Sequence, residues 1–227
     1  MSTLSFEQIR DELCNFIRSN DVLSITIRGV TTGTDSYTVA GIPEPTHTLA
    51  NTPVKNVRSV TSTISGNLYY LRDYTIDFAT SIITWVAARQ VGDQLVISYD
   101  YGSSDKIYPD LPRDDLSLTS FPRIGIELLG SSTEPLGLGG TTHISDFEFS
   151  IIIWVPANRD PAIASGFGGL TDLNTTLYNI RNVIRNNAKS FYSFPWIYPH
   201  STGPLIKSTN GKILQSSMDC TIKFKVE

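Results

Sequence analysis

Three histidines are the first residues to weigh, because imidazole serves both as a metal ligand and as a general base near neutral pH. His47, His143 and His200 stand in Pro/Thr-rich or Gly-rich stretches that read as loops. None lies three or four residues from another histidine, a cysteine or a helical carboxylate, so metal-ligand spacing is absent. A hydrolase needs a nucleophile on a strand–helix elbow with a histidine and an acid, and no Gly-x-Ser-x-Gly occurs. Ser165-Gly166-Phe167-Gly168-Gly169 precedes a helical pattern, where backbone N–H groups can hold a phosphate. It lacks the Lys-Ser/Thr ending of a P-loop, and residues 156–164 separate it from the preceding strand, so it reads as a flexible loop. Among carboxylates, Asp114-Asp115 sits between prolines as a solvated linker, while Asp73 and Asp77 read as turn and solvent-face residues. The sequence therefore assigns no catalytic, cofactor-binding or metal residue.

Two groups of side chains suit contact. Arg159, Arg181, Arg185 and Lys189 could form one basic patch beside a helix, with Asn182, Asn186 and Asn187 between them. The aromatic run from Phe191 to Tyr198 contains Trp196 and could stack on sugars or bases. The prolines beside it favour an extended segment packed over a core or a neighbouring subunit. Arg159, Arg181, Arg185, Lys189 and Trp196 are the candidate interface residues.

The chain has 227 residues, enough to bury a core without disulfides or metals. It is 40% hydrophobic and only 18% charged, with a net charge of −4, so nothing draws it generally to nucleic acid. Its two cysteines, Cys14 and Cys220, fall on apolar faces outside any CxxC or Cys/His spacing and read as reduced core thiols. Residues 1–20 carry Glu7, Asp11 and Glu12 and lack the apolar run of a signal peptide. The longest apolar run, 151–156, is too short to span a bilayer.

The elements that would position these residues follow from periodicity. Residues 5–20 read as an amphipathic helix with the stripe Phe6, Ile9, Leu13, Phe16 and Ile17, a Ser5–Gln8 capping box, and Arg10, Glu12 and Arg18 off the stripe. From Val22 to about Ser104 the pattern predicts some seven short strands. These are 22–28, 37–40, 54–64, 68–72, 74–78, 82–85 and 94–101. Residues 103–122 read as a linker. Strands are predicted over 123–129 and 146–155, with a Gly-rich loop between them. Phe147, Phe149, Ile151, Ile153 and Val155 share one face, and Ile152 and Trp154 make the other face apolar, so both sides need cover. A second helix over 171–187, capped by Thr171 or Asp172, carries the stripe Leu173, Leu177, Ile180 and Ile184. Asn210-Gly211 reads as a type I′ turn before a closing strand, 218–226. The expected class is α+β: a small antiparallel sheet with two packed helices (residues 1–21 and 105–227) plus an inserted all-β sandwich module (residues 22–104).

The stretches PRIGIELLG (122–130), DFEFSIIIWVPANRD (146–160), LTDLNTTLYNIRNVIRN (170–186) and MDCTIKFKV (218–226) together resemble the tail terminator, or tail-completion, proteins of long-tailed phages. In that family a helix opens the chain and a second helix precedes closing strands. DYTIDFATSIITW…VGDQLVISYDYG (73–102) is similar to β-modules of phage tail and baseplate proteins. The resemblance implies a non-enzymatic virion protein, assembled in the host cytoplasm. It implies a homo-oligomeric ring, commonly hexameric, that terminates the tail tube and joins it to the head–neck connector. Implied partners are the tail tube protein, the connector and the sheath. Neither a membrane nor sequence-specific nucleic acid is among them, although genomic DNA would pass through the lumen. A carbohydrate-binding or adhesion module of a tail or baseplate is the alternative.

Overall fold

A computed structural model of the chain describes residues 6–109, 121–135, 143–159, 166–186 and 196–226. The chain divides into two compact units: Met1–Leu23 with Lys106–Glu227, and Ser24–Asp105. The second is thus inserted into the sequence of the first. Both are built from largely antiparallel sheets, and the three helices among the described residues complete a mixed α and β architecture.

Helix α1 (Phe6–Ser19) opens the first unit and buries Ile9, Leu13 and Ile17, the i, i+4, i+8 line of one face. Glu12 and Cys14 are buried beside them, so the hidden face is wider than the predicted stripe and takes in a carboxylate expected outside it. Ser5, the expected cap, lies outside the described residues.

The inserted unit begins with a departure from the sequence pattern. Leu23, Ile25 and Ile27 predict a strand, yet Ile25–Arg28 forms one helical turn, α2. Ser24 Oγ accepts the Ile27 N–H at 3.4 Å, and Gly29 turns left-handed at φ 75° while its N–H bonds Ile25 O and Thr26 O. A cap at each end outweighs three alternating residues. Seven strands then follow: β1 (Thr31–Thr38), β2 (Glu44–Thr48), β3 (Val54–Ser62), β4 (Gly66–Leu68), β5 (Tyr74–Asp77), β6 (Ile82–Arg89) and β7 (Gln94–Tyr101). They pair as β1-β7-β3-β4 and β2-β6-β5, all antiparallel.

The number of strands matches expectation, but their membership does not. The predicted strand 68–72 stops at Leu68, because Leu71 sits at φ 64° in a turn. Strand β2 forms where Pro43 and Pro45 predict a break. It is an edge, and its register slips between Glu44 and Thr46, so Pro45 falls where no ladder N–H is needed. The β5–β6 hairpin pairs Tyr74 with Trp85 and Ile76 with Ile83, as the alternation requires. Asp77 holds its turn by accepting from Ala79 N (2.9 Å) and Thr80 Oγ1 (2.7 Å). Strand β7 follows β6 through Gly92-Asp93 but joins the other sheet. Inward residues of both sheets, including Val60, Leu68, Ile83, Trp85, Leu95, Ile97 and Tyr99, then form one apolar cluster.

The chain returns to the first unit with β8 (Ile107–Tyr108), β9 (Arg123–Pro135), β10 (His143–Pro156), α3 (Gly169–Asn186), β11 (Trp196–Thr202), β12 (Ile206–Lys207) and β13 (Ile213–Val226). Their order is β11-β13-β10-β9-β8, with β12 beside β13 and one parallel pair, β8–β9. Ile151 lies between Met218 and Ile126, and Phe149, Ile151, Ile153 and Val155 are fully buried. Helix α3 packs on β10, β11 and β13 through Leu173, Thr176, Ile180 and Ile184. Thr176 takes the place expected of Leu177, its hydroxyl satisfied by Asp172 O at 2.8 Å. Phe6 of α1 stacks 6.3 Å from Phe149, and Arg18 Nη2 donates to Ile107 O at 2.6 Å, tying α1 to the sheet at both ends.

Strands β9 and β10 run past their predicted limits. At a β-bulge Phe149 opposes Leu128 while Glu148 opposes Gly130, leaving Leu129 unpaired and exposed. On the other face of β10, Ile152 is buried, whereas Trp154 is half-buried with Nε1 donating to Gln215 Oε1 at 3.1 Å. A turn does precede β13, closed by Gly211 N donating to Ser208 O at 2.7 Å, but of Asn210 and Gly211 only Gly211 has a positive φ, 69°, so it is not the type I′ turn expected. Among the described residues no helix is long and apolar enough to cross a membrane.

Candidate functional site

The candidate basic residues occupy separate places. Arg159 follows β10 and meets the first turn of α3. Its Nε and Nη2 bond the two Asp172 oxygens at 3.1 and 2.6 Å, and Asp172 Oδ2 also accepts the Gly168 N–H at 2.8 Å. A carboxylate of the chain therefore already fills the positive end of α3, the place where the glycine loop was weighed as a phosphate cradle. Arg181 and Arg185 are exposed one turn apart, about 20 Å of helix axis from Asp172 to Arg185 at 1.5 Å per residue. Cations near a helix C-terminus also favour the macrodipole. Lys189 lies outside the described residues, as do residues 191–195. Trp196 opens β11 opposite Lys223, and its side chain is not described.

The histidines are in strands, not loops: His47 in β2, His143 in β10 and His200 in β11. Edge positions and bulges let these Pro- and Thr-rich segments join ladders, and His200 is itself the extra residue of a bulge between Pro199 and Ser201. His47 stacks on Tyr37 with ring centroids 3.9 Å apart, its two nitrogens each 3.6 Å from a carboxylate oxygen of Asp35 or Glu44. Among the described residues no group of three His, Cys, Asp or Glu side chains is disposed to hold a metal ion. Asp73 closes a turn on Tyr69 N and Arg72 Nε, both at 2.7 Å. Asp114 and Asp115 fall outside the described residues. Cys14 and Cys220 are both buried; burial, reinforced by Asp219, pushes the Cys220 thiol up to about 12.

The strongest polar cluster went unread in the sequence. Arg28 is completely buried in the inserted unit, donating from Nη1 to Asp100 at 2.8 Å and from Nε and Nη2 to Asp105 at 3.0 and 3.3 Å. Asp100, equally buried, also accepts from Arg58 Nε (2.6 Å), Thr32 Oγ1 (3.0 Å) and Asn56 Nδ2 (3.5 Å). Burial alone would raise the Asp100 carboxyl, but hydrogen bonds and charge from Arg58 and Arg28 outweigh it and hold it below the ordinary range. These donors occupy the carboxylate, and the cluster ties the segment entering the unit to β7 and to the segment leaving it. A second closed set joins Tyr99 Oη to Asp35 at 2.8 Å while Asn51 N and Nδ2 donate to that oxygen at 3.1 and 2.9 Å. In the first unit Ser150 and Ser201 donate to Asp219 at 2.8 and 2.6 Å. Each set links strands or the segments beside them through side-chain hydrogen bonds.

No protein-family model matches the chain, and no curated protein matches it.

Proposed function

We propose that this chain is a non-enzymatic structural subunit of a long-tailed phage: a ring-forming tail terminator or neck protein with an inserted β-sandwich module. The ring, read as hexameric, ends the tail tube, joins it to the head–neck connector and lets genomic DNA pass through its lumen. Tube, connector and sheath are its protein neighbours, and the virion is its final place.

The observation that carries this reading is the element order of the first unit. An opening helix, the long β9–β10 hairpin, α3 and the closing strands β11–β13 follow the plan that the tail-terminator resemblance implies, with a separate β unit inserted after the opening helix. The polar clusters cross-link strands, which suits a rigid structural subunit. Mass photometry of the full chain, alone and mixed with purified tail tubes, tests the proposal, with negative-stain images to locate bound protein. Closed rings, in solution or on tube ends, are expected. A monomer that ignores tube ends refutes it.

A further inference from the structure

The sheet of the first unit has two unlike sides. Phe149, Ile151, Met218, Cys220, Ile222 and Ile197 share the buried side, against which α1 sets Phe6 and α3 its stripe. Successive strand residues alternate, so the register puts Glu148, Ser150, Asp219, Glu127 and Tyr198 on the other side. Glu127 and Asp219 flank Ser150 in one row across the strands. Glu148 stands in the next row with Thr221 and Tyr198; Glu148 and Tyr198 are exposed. Neither row contains a cation. The basic residues of this side stand toward its ends. Lys223 is paired with Asp146 at 2.6 Å, Lys225 lies opposite Ile144, and Arg123 is buried over the rings of Tyr108 and Phe121. The middle of the outer side is an acidic patch of three carboxylates.

Helix α3 carries the opposite charge on the opposite side of the unit. Its one carboxylate, Asp172, is bound to Arg159 and the Gly168 N–H. Beyond it Tyr178, 64% exposed, and the exposed Arg181 and Arg185 follow at i, i+3 and i+7 and form one outward strip. The two arginines lie about 6 Å apart along the helix axis. Among the described residues none of Arg181, Arg185, Glu127 and Glu148 has an ion-pair partner. Tyrosine and arginine are the side chains that protein interfaces favour.

We infer that the α3 strip of one copy docks on the acidic sheet patch of the next copy. Strip and patch lie on opposite sides of one unit and do not meet within a copy. Stacked front to back, two copies set two guanidinium groups against three carboxylates, and this charge complementarity selects the occupant. Nucleic acid is the poorer match for the strip, because the chain carries a net charge of −4. Strip and patch are different surfaces, so the contact is heterologous and repeats from copy to copy until a ring closes. The inference rests on the ring reading and names the contact behind it.

Sedimentation velocity of the full chain tests it with two charge-reversal variants, Arg181→Glu/Arg185→Glu in the strip and Glu127→Lys/Glu148→Lys in the patch, each checked for wild-type melting. The wild type should self-associate, and more weakly as salt rises. Each variant alone should associate about tenfold or more weakly than the wild type. An equimolar mixture of the two should assemble again, because each variant meets opposite charge on the other at both of its surfaces. If assembly occurs only on tail tubes, the same proteins are scored by counting capped tube ends in negative-stain images. Variants that assemble like the wild type, or a mixture that stays dissociated, overturn this contact while leaving the ring reading intact. Wild-type binding to duplex DNA that the strip variant loses, with self-association unchanged, assigns the strip to nucleic acid and overturns the inference. A wild type that neither associates nor binds tube ends overturns both readings.

Discussion

Arg28→Met is the most informative single change in the inserted unit. The methionine stem fills much of the space but removes the donors to Asp100 and Asp105. Asp100 then keeps only Arg58 as a charged partner among these contacts, while remaining fully buried. Breaking one side of a buried ion pair costs about 3–5 kcal/mol, because a poorly compensated charge stays behind. A unit of roughly 80 residues is stable by about 4–12 kcal/mol in total. The change should therefore remove a quarter or more of that stability and lower the unit's melting midpoint by at least roughly 12 °C. Hydrogen exchange of the full chain, read by mass spectrometry, separates the units: amides of α2 and β7 should lose protection while those of β10 and β13 serve as the reference. Asp100→Asn adds a pH signature. A carboxylate held below its unfolded value of about 3.9 contributes fully above that pH and loses its contribution as pH falls through the lowered value. The gap between wild type and Asp100→Asn should thus persist at neutral pH and narrow only in acid below about pH 4. Unchanged β7 protection in Arg28→Met, with a loss under about 1 kcal/mol, would show that the cluster does not hold the unit together.

Three further outcomes can be checked. Asp172→Ala removes the acceptor of the Gly168 N–H and should cost about 0.5–2 kcal/mol of α3 stability. Arg159→Ala, losing an ion pair from a side chain 60% exposed, should cost less than about 1 kcal/mol; equal losses in thermal melts would contradict this division of roles. Ile151→Asp places a charge between Met218 and Ile126 and should abolish cooperative melting of the first unit by circular dichroism. Native protein should leave Cys220 unlabelled by a disulfide reagent at pH 8, where a thiol near 12 is ionised in about one molecule in ten thousand. Rapid labelling without unfolding would count against its burial.

Legibility in the sequence followed the range of the interaction. The β5–β6 hairpin, the inward face of β10 and the Gly211 turn rest on neighbours within a few residues, and alternation or turn chemistry announced each. Exposure of Arg181 and Arg185 was readable from the stripe beside them, since a helix repeats its faces every 3.6 residues. The Arg159–Asp172 pair was not, because 13 residues of chain separate partners that meet only after α3 docks. Arg28 and Asp100 are further apart still, at 72 residues, and each alone looks like the polar member of an alternating strand.

Composition and periodicity alone determined that this chain folds into helices with apolar stripes and strands of period two, with no local spacing for a metal or nucleophile. They did so because burial of apolar side chains is local in pattern, whatever the partner. Tertiary structure alone decided which sheet each strand joins and which charges are buried. A buried charge is tolerable only when its counter-charge arrives, and that arrival depends on the path of the whole chain.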